Sequence, residues 1–359
     1  MNEYIKLTSL NDYWVKNKID IFPLHEKLKK LVATHSNLDF KKYVNHLTIT
    51  QLLAAELQQC LSSQTLLDFL FSRYRYETFP QNFILDDYPP LLQIELSAIC
   101  NYKCTFCFQQ NSDFFSKKQN VGNMPKQAFK KVVDEITGKI PFINLASRGE
   151  PFINPDLSSL LGYCKNRFQT IKINTNGSLI TEKTAISIFE NNVNLIVISI
   201  DSFNPNKYAK LRVNGQLRKI YKNLQLLNSV KRHFKNCHTI IRISGVEQTD
   251  NNILEQIPTQ WKNLADQITT VNYFPWENIY ENNANGITKP CSSLWRRLIV
   301  NYNGLVNPCD ADYKNFNQIG TIETKTIRQL WQSAKLNRLR NTHLSQRQKV
   351  EICKGCNYV

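Results

Sequence analysis

The sequence has no hydrophobic run long enough to cross a membrane. Its longest apolar stretches, such as residues 195–200, fall far short of the ~20 residues that a spanning helix needs. The opening residues, MNEYIKLTSLNDYWVKNK, are polar and charged and contain no apolar core of a signal peptide. We therefore expect a soluble, cytoplasmic protein that neither enters a membrane nor is secreted.

Blocks of basic residues, internal repeats and low-complexity segments are also missing. Lys and Arg number 45 against 29 Asp and Glu, a formal net charge of +16, but they are dispersed and form no nucleic-acid motif. A solvated basic surface explains them more simply than a nucleic-acid interface, although recruitment of an anionic substrate or acidic partner stays open. The six histidines do not cluster, and neither a Walker-type loop nor a Ser–His–Asp arrangement is present.

The residues that are present predict three regions. Residues 1–90 carry apolar residues at helical intervals and end in a proline-containing segment, which predicts an N-terminal helical accessory domain. Residues 91–285 alternate short β-branched runs with amphipathic segments, which predicts repeated βα units and a parallel sheet. Residues 286–359 contain Asn303-Gly304 between two apolar runs, a hairpin signal, followed by a helical pattern at 326–340 and a cysteine-containing tail. We expect a small α+β domain there.

The βα pattern is specific enough to give approximate bounds. Strands are predicted at 92–96, 142–146, 170–174, 195–200, 239–244 and 268–274. Helices are predicted at 125–136, 181–191, 218–234 and 252–264. Ligands of parallel sheets bind at the carboxyl ends of the strands, so the loops that follow strands are the places to look for chemistry.

Ten cysteines stand out in a protein expected in a reducing compartment, where thiols serve as metal ligands or nucleophiles more often than in disulfides. Three of them, Cys100, Cys104 and Cys107, form C-x3-C-x2-C directly after the first predicted strand. A structural zinc site needs four ligands, and no fourth Cys or His lies nearby in the sequence. Three thiolates suit a 4Fe–4S cluster with one open iron.

This motif resembles the defining motif of the radical S-adenosylmethionine enzymes. The resemblance implies a partial (β/α)6 barrel over residues 91 to about 274. It also implies that S-adenosylmethionine binds the open iron, is cleaved reductively, and yields a 5′-deoxyadenosyl radical that abstracts a hydrogen atom. Phe106, before the third cysteine, would then lie near the adenine.

Further segments are similar to the family's S-adenosylmethionine contacts. Ser147-Arg148-Gly149-Glu150-Pro151 resembles its Gly-Gly-Glu-Pro, with Arg148 in place of the first glycine. The resemblance implies that Gly149 allows close backbone approach and that Glu150 accepts from the methionine ammonium. Cofactor contacts are likewise expected at the ends of the third and fourth strands and just downstream of the fourth. They are Asn176, Ser199 and Arg212.

Four more cysteines lie in the C-terminal region: Cys291, Cys309, Cys353 and Cys356. A four-thiolate zinc site is one interpretation. The alternative is the auxiliary-cluster extension of the same family, because the spacing resembles its SPASM/twitch domains. With four cysteines the resemblance implies the shorter, twitch-like form with a single, fully ligated 4Fe–4S cluster.

The expected activity follows from this resemblance. We expect oxidation or epimerisation of a sugar- or cyclitol-like small molecule, with the auxiliary cluster accepting the electron and a flavodoxin- or ferredoxin-type donor. The alternative is radical modification of a ribosomally synthesised peptide. Tyr273 and Glu277 follow the sixth predicted strand and are candidate catalytic residues, Glu277 as a general base. Ordinary packing between the barrel and the C-terminal domain is the simpler interpretation of the aromatics Tyr273, Phe274 and Trp276.

Overall fold

A computed structural model shows how the predicted βα units combine. It describes residues 63–235, 237–247, 257–281 and 283–358, together with Phe40, Tyr43, Leu53, Glu56 and Leu57. The chain divides into two compact units, Met1–Asn82 and Phe83–Val359. The predicted domain limits at residues 90 and 285 stay predictions, and most of the predicted N-terminal helical region lies outside the described residues.

The described helices are mostly short. They are α1 Ser63–Gln81, α2 Ser112–Phe115, α3 Lys126–Ile136, α4 Leu157–Cys164, α5 Glu182–Glu190, α6 Pro205–Leu211, α7 Leu217–Lys231, α8 Thr259–Lys262, α9 Ile327–Trp331 and α10 Ala334–Gln346. None of the described helices is both long and apolar enough to span a bilayer.

The strands form one large sheet and one small one. They are β1 Leu91–Ile94, β2 Lys103–Cys104, β3 Phe142–Asn144, β4 Thr170–Thr175, β5 Leu195–Ser199, β6 Arg212–Val213, β7 Ile240–Glu247, β8 Gln267–Asn272, β9 Arg297–Val300, β10 Leu305–Asn307 and β11 Gly320–Thr321. The large sheet has the order β11-β10-β9-β1-β3-β4-β5-β7-β8, and β2 pairs with β6. The run from β1 to β8 is parallel throughout, which confirms the α/β fold class.

Alternation along the strands separates a core face from an opposite, inner face. On β4, Ile171 and Ile173 belong to the hydrophobic core that contains the apolar sides of α3, α4 and α5. The residues between them, Thr170, Lys172 and Asn174, are only partly buried. Because side chains of a strand alternate, these polar residues lie on the inner face of the sheet.

The C-terminal region extends the barrel sheet. The predicted hairpin is present, since β10 pairs antiparallel with β9 around the Asn303-Gly304 turn, where Gly304 has φ +81°. However, β9 also pairs in parallel with β1, so the hairpin continues the sheet. The single helix predicted at 326–340 was wrong. The Ser333 side chain accepts a hydrogen bond from the Leu336 amide and starts a second helix there.

Some elements had no clear sequence signal. Helix α6 and the two-residue strands β2 and β6 were not predicted, because pieces this short lack a readable period. Of the helix predicted at 252–264, residues 252–256 lie outside the described part, and only Thr259–Lys262 is a described helix.

Candidate functional site

The three N-terminal cysteines lie on one loop that begins just past the end of β1. The small β2–β6 sheet anchors this loop by pairing Cys104 with Arg212, and the Thr105 amide donates to the Leu211 carbonyl at 2.9 Å. Backbone amides point at two of the sulfurs: the Tyr102 amide lies 3.5 Å from Cys100 Sγ, and the Gln109 amide lies 3.5 Å from Cys107 Sγ. The backbone of the loop therefore places hydrogen-bond donors next to two of its three cysteine sulfur atoms.

Burial strongly disfavours free thiolates in this loop. It raises the pKa of the Cys100 and Cys107 thiols to about 12, and it also raises the pKa of Cys104. Arg212 lowers the pKa of all three and so partly offsets the burial. Metal binding requires deprotonated cysteine, so a metal centre must displace these protons. An iron–sulfur core that replaces these protons fits the trio, because Arg212 offsets part of the negative charge of the three thiolates.

A single metal ion does not fit as well. Within the described part of the chain, no three Cys, His, Asp or Glu side chains converge on a point where one metal ion could bind. Zinc needs this convergence, since Zn–S bonds are about 2.3 Å long. In a 4Fe–4S cluster each cysteine binds a different iron, so the sulfurs lie further apart.

The segment after β3 lies directly against the cysteine loop. The Glu150 amide donates to the Ile99 carbonyl at 2.8 Å. A Cβ on Gly149 would lie 2.5 Å from the carbonyl oxygens of both Ser97 and Ile99, so only glycine allows this approach. Pro151 then begins a short 3-10 turn, Pro151–Ile153. Gly149 and Glu150 are therefore next to the residue that precedes Cys100.

The Glu150 carboxylate is buried and almost fully engaged. One oxygen accepts from Thr175 Oγ1 at 2.7 Å and the Phe152 amide at 3.1 Å, and the other accepts from the Asn176 amide at 2.7 Å. Burial raises its pKa even though these donors lower it. A carboxylate has about four lone-pair sites, so one remains on Oε2. That site can accept one N–H of an ammonium group.

Asn176 connects the end of β4 to the cysteine loop. Its side-chain nitrogen donates to Asn101 Oδ1 at 2.9 Å, while its side-chain oxygen accepts from Ser178 Oγ at 2.7 Å. Asn101 is the neighbour of Cys100. Ser199 is the last residue of β5, in register with Ser244 of β7, and remains partly exposed. Both residues thus lie at the carboxyl edge of the sheet.

Arg212 is buried beside the second cysteine. Its Nε donates to Asp201, Nη1 lies 3.9 Å from Cys104 Sγ, and the guanidinium carbon is 5.7 Å from the Phe106 ring centre. Burial alone would lower the pKa of Arg212, but the Asp201 carboxylate outweighs it and the pKa is raised. The side chain therefore stays cationic and can bind a carboxylate.

Arg148, at the position where the family motif has glycine, forms a buried ion pair. Its Nη2 and Nε donate to the Glu95 carboxylate at 2.6 and 2.8 Å, and Nη1 donates to the Tyr313 carbonyl at 3.0 Å. Glu95 also accepts from the Tyr302 amide at 3.1 Å. The substitution thus ties the loop after β3 to two segments of the C-terminal region. Sequence reasoning missed Glu95 and Tyr313 because partners 53 and 165 residues away leave no local pattern.

The four C-terminal cysteines converge on one cavity. Cys291, Cys309, Cys353 and Cys356 all line it, although they come from three separate segments. Burial and the neighbouring cysteines raise the pKa of the Cys309 and Cys353 thiols. As in the first site, free thiolates are disfavoured until a metal replaces their protons.

Unpaired donors in this cavity test whether a cluster fits. The buried Ser293 Oγ, His343 Nε2 and Arg347 Nε atoms have no hydrogen-bond partner among the described residues, and all three residues line the cavity. Burial, with a smaller contribution from Arg347, lowers the pKa of His343 to about 4, so this ring is neutral. Buried donors without acceptors are costly. An anionic cluster with sulfur acceptors satisfies them.

A short segment after Cys309 connects the two cysteine sites. The Tyr313 ring stacks on Phe108, the neighbour of Cys107, with 5.1 Å between ring centres and 20° between planes. Asp310 accepts from Gln93 Nε2, on the inner face of β1, at 2.7 Å. Aromatic stacking at this spacing stabilises the contact beyond its buried area. The segment that follows Cys309 thus contacts both the cysteine loop and the inner face of β1.

The predicted catalytic pair lies beside this connection. The Tyr273 hydroxyl donates to Glu277, and the short turn Trp276–Asn278 packs against Phe108–Gln110. One Glu277 oxygen is buried without a hydrogen-bond partner among the described residues. Burial and Glu277 raise the pKa of Tyr273 to about 12. Phe274 and Trp276 pack edge to face and line the auxiliary cavity, which supports the packing interpretation for these aromatics.

Models of two protein families match the two cysteine-containing regions of this chain. A model of the radical SAM superfamily matches residues 94–256, and a model of the SPASM iron–sulfur cluster-binding domain matches residues 291–357. The chain carries a radical SAM domain and a SPASM domain. These domains indicate a 4Fe–4S cluster that binds S-adenosylmethionine and an auxiliary cluster, as the resemblance implied.

Curated relatives match only part of this chain. An uncharacterized protein of Methanocaldococcus jannaschii is 26% identical over 193 residues, 53% of this chain and 60% of that protein. The chain spans about a third to three fifths of the length of the first curated relatives that it matches.

Two solved structures support the same fold. SuiB of Streptococcus suis, bound to its precursor peptide SuiA, matches 94% of this chain and 83% of its own at 14% identity, with a TM-score of 0.60. BtrN in complex with AdoMet and 2-DOIA matches 75% of this chain and 93% of its own at 18% identity, with a TM-score of 0.51. At these identities the likeness concerns the fold.

Proposed function

We propose that this radical SAM protein cleaves S-adenosylmethionine reductively and uses the 5′-deoxyadenosyl radical to abstract a hydrogen atom from a hydroxyl-bearing small molecule of the sugar or cyclitol class. The substrate radical is then oxidised by loss of an electron and a proton, or epimerised by return of a hydrogen atom from a separate donor. When bound, the three-cysteine cluster supplies the electron for cleavage and the auxiliary cluster supplies an electron acceptor. A flavodoxin- or ferredoxin-type protein is the proposed source of reducing electrons.

This chain's residues divide the binding of S-adenosylmethionine among them. Cys100, Cys104 and Cys107 hold the first cluster. The remaining lone-pair site of Glu150 accepts from the methionine ammonium, and the Arg212 guanidinium binds its carboxylate. Phe106, Gly149, Pro151, Asn176 and Ser199 complete the proposed contacts. The opposite charges of Glu150 and Arg212 fit the two charged ends of an amino acid.

The inner face of the sheet carries the proposal about the substrate. In register, Asn144 of β3 is beside Lys172 of β4, and Asn174 lies two residues further along β4. The side-chain oxygens of Asn144 and Asn174 are buried and have no hydrogen-bond partner among the described residues. Both oxygens require donors. Hydroxyl groups are such donors, so adjacent hydroxyls of a polyol satisfy both.

The inner face also has contacts beside both cysteine sites. Gln93 of β1 and Glu95, the residue after β1, alternate with core residues. Gln93 contacts Asp310 beside Cys309, whereas Glu95 contacts Arg148 beside Gly149. A substrate on this face is thus close to both proposed cluster sites. Glu277 is the proposed general base, because its unpartnered oxygen can accept a proton from a substrate hydroxyl.

Modification of a ribosomally synthesised peptide is the alternative. The observation that favours it is the likeness to peptide-bound SuiB, which covers 94% of this chain. A peptide would also find donors and acceptors on the inner face. The two substrate classes differ in which molecule gives up hydrogen to the radical.

Deuterium transfer tests the proposal directly. The anaerobic holoenzyme is reduced with dithionite and given S-adenosylmethionine with cyclitols or amino sugars that carry deuterium on carbon, and 5′-deoxyadenosine is analysed by mass spectrometry. We expect deuterium in 5′-deoxyadenosine and a product oxidised or inverted at the labelled carbon. Transfer from a labelled peptide, with none from any polyol, would favour the alternative.

Variants of the inner face sharpen the test. Asn144→Ala and Asn174→Ala each remove one acceptor, and a hydrogen bond contributes about 1 kcal/mol, so turnover at low substrate should fall roughly fivefold. Uncoupled S-adenosylmethionine cleavage should stay unchanged. Asn206→Ala, at an exposed position of α6, is the matched control. Equal turnover in all three variants would remove the polyol subsite from the account.

A further inference from the structure

The auxiliary cavity contains a histidine that the cysteine pattern does not explain. We propose that His343 donates a hydrogen bond from Nε2 to a sulfur of the auxiliary cluster and thereby raises the reduction potential of that cluster. The proposal rests on the proposed function, because it assumes that Cys291, Cys309, Cys353 and Cys356 hold that cluster.

The His343 side chain lies in the wall of the auxiliary cavity. His343 lies on α10, is 1% exposed, and lines the cavity together with all four cysteines. Its Nε2 atom is buried and has no hydrogen-bond partner among the described residues. A buried polar atom without a partner is rare in native proteins and calls for an explanation such as a bound group.

The tautomer follows from the other ring nitrogen. The Cys291 backbone amide donates to Nδ1 of His343 at 3.3 Å. Because Nδ1 accepts, it carries no proton, and a neutral imidazole then has its proton on Nε2. The atom without a partner is therefore an N–H donor. It needs an acceptor, and cysteine thiolates and cluster sulfides are acceptors.

The same geometry argues against iron ligation by His343. A ligating Nε2 would have to lose its proton, while Nδ1 is already unprotonated because it accepts from the Cys291 amide. Such a ring would be an anionic imidazolate. Histidine ligands instead normally donate their second N–H to another group. His343 thus acts on the cluster through its N–H bond.

Arg347 strengthens the electrostatic effect. It is 1% exposed, its Nη2 donates to the Cys356 carbonyl at 2.6 Å, and its Nε has no partner among the described residues. The potential of an iron–sulfur cluster depends on hydrogen bonds to its sulfurs and on local charge. Donors stabilise the reduced, more negative cluster most. Together these groups favour an auxiliary cluster that accepts electrons readily.

The test measures the midpoint potential of the auxiliary cluster. His343→Leu and His343→Gln are compared with the unmodified holoenzyme by redox titration monitored by EPR. We expect the one-electron reduction of the Leu variant to be weakened about tenfold, a shift of about 59 mV to lower potential. The Gln variant keeps a donor and should recover most of this shift. His233→Leu, at an exposed histidine, is the control.

Other results distinguish failure of the His343 proposal from failure of the proposed function. An unchanged potential in the Leu variant, with iron content intact, would overturn the proposal. A strong nitrogen hyperfine coupling in unmodified enzyme from cells grown with ¹⁵N-histidine would also overturn the proposal, because His343 would then be a ligand of the cluster iron. A weak coupling is the expected result, and this measurement does not depend on the variants folding. If the unmodified enzyme holds only the first cluster, the proposed function itself fails.

Discussion

The two cysteine sites are built in opposite ways. The first is one loop of eight residues, Cys100 to Cys107, with its partners at the ends of neighbouring parallel strands. The second draws its cysteines from three segments that come together only in the folded chain. The first site has the Glu150 carboxylate and the Arg212 guanidinium beside its cysteines. Asp310 also lines the second cavity, but that cavity in addition holds three buried donors that have no acceptor among the described residues.

This difference indicates different tasks. Glu150 and Arg212 present one acceptor and one cation, which suits an exogenous ligand that carries both charges. Ser293, His343 and Arg347 present donors, which suits an anionic group that stays in place.

Loss of the first site should abolish the chemistry and spare the second cluster. In the Cys100→Ala, Cys104→Ala and Cys107→Ala proteins we expect no 5′-deoxyadenosine above background. Each variant lacks one of the three cysteine ligands of the cluster that binds S-adenosylmethionine. Iron should fall from about eight to about four per chain. Cleavage that survives in all three variants would contradict the assignment of this loop.

Loss of the second site should have the reverse pattern. Cys309→Ala should also halve the iron, yet dithionite-reduced protein should still release 5′-deoxyadenosine. Formation of oxidised product should stop, because the proposed electron acceptor is missing. Anaerobic iron analysis and product detection in the same samples check this. Full iron content together with normal product formation would show that Cys309 is not a ligand of the auxiliary cluster.

The buried ion pair between the sites should matter for stability. Glu95→Gln leaves the Arg148 guanidinium buried without its counter-charge, and breaking such a pair costs about 3–5 kcal/mol. We expect the free energy of unfolding of the holoenzyme, measured with urea, to fall by about that amount.

The exposed pair Arg167–Asp134 provides the matched control for this measurement. Its partners are screened by water, so Asp134→Asn should leave the urea midpoint essentially unchanged. Equal effects of the two substitutions would show that burial does not decide the contribution of Glu95.

The proposed base should affect turnover and spare cleavage. Glu277→Gln removes the proton acceptor, and general-base catalysis contributes at least about 10²-fold. We expect the rate of product formation to fall by that factor, while uncoupled 5′-deoxyadenosine release stays the same. Unchanged product formation would remove Glu277 from the mechanism.

The smallest effect is expected from a methyl group beside the first site. Gly149→Ala forces the backbone at Ser97 and Ile99 to move, which should cost about 1–3 kcal/mol and weaken S-adenosylmethionine binding. The control is Gly162→Ala in α4, where the nearest atom is 3.6 Å from the new Cβ. Iron at the auxiliary site should be unaffected in both. Equal S-adenosylmethionine affinity in the two variants would contradict the close-approach argument.

The fold was largely readable from the sequence. The strand predicted at 195–200 is Leu195–Ser199, and the helix predicted at 181–191 is Glu182–Glu190, because long periodic segments have a strong signal. The parallel pairing of β9 with β1 was not predicted. Strand neighbours that are some 200 residues apart depend on tertiary packing and leave no local trace.

The sequence predicted the candidate site only where residue spacing along the chain indicates a particular chemistry. The C-x3-C-x2-C loop is local, so its chemistry could be derived before the fold was known. His343 could not be found this way, because one histidine on a helix has no pattern and its meaning depends on what it faces. The same holds for Arg148, which reads as a departure from a motif until Glu95 is placed beside it.

EPR spectroscopy of the anaerobically reduced holoenzyme, with and without S-adenosylmethionine, tests the central claim most directly. The account predicts two cluster signals, of which one changes on addition of S-adenosylmethionine and is absent from the Cys104→Ala protein, while the other is insensitive to both. A single signal, or two signals that ignore S-adenosylmethionine, would contradict it.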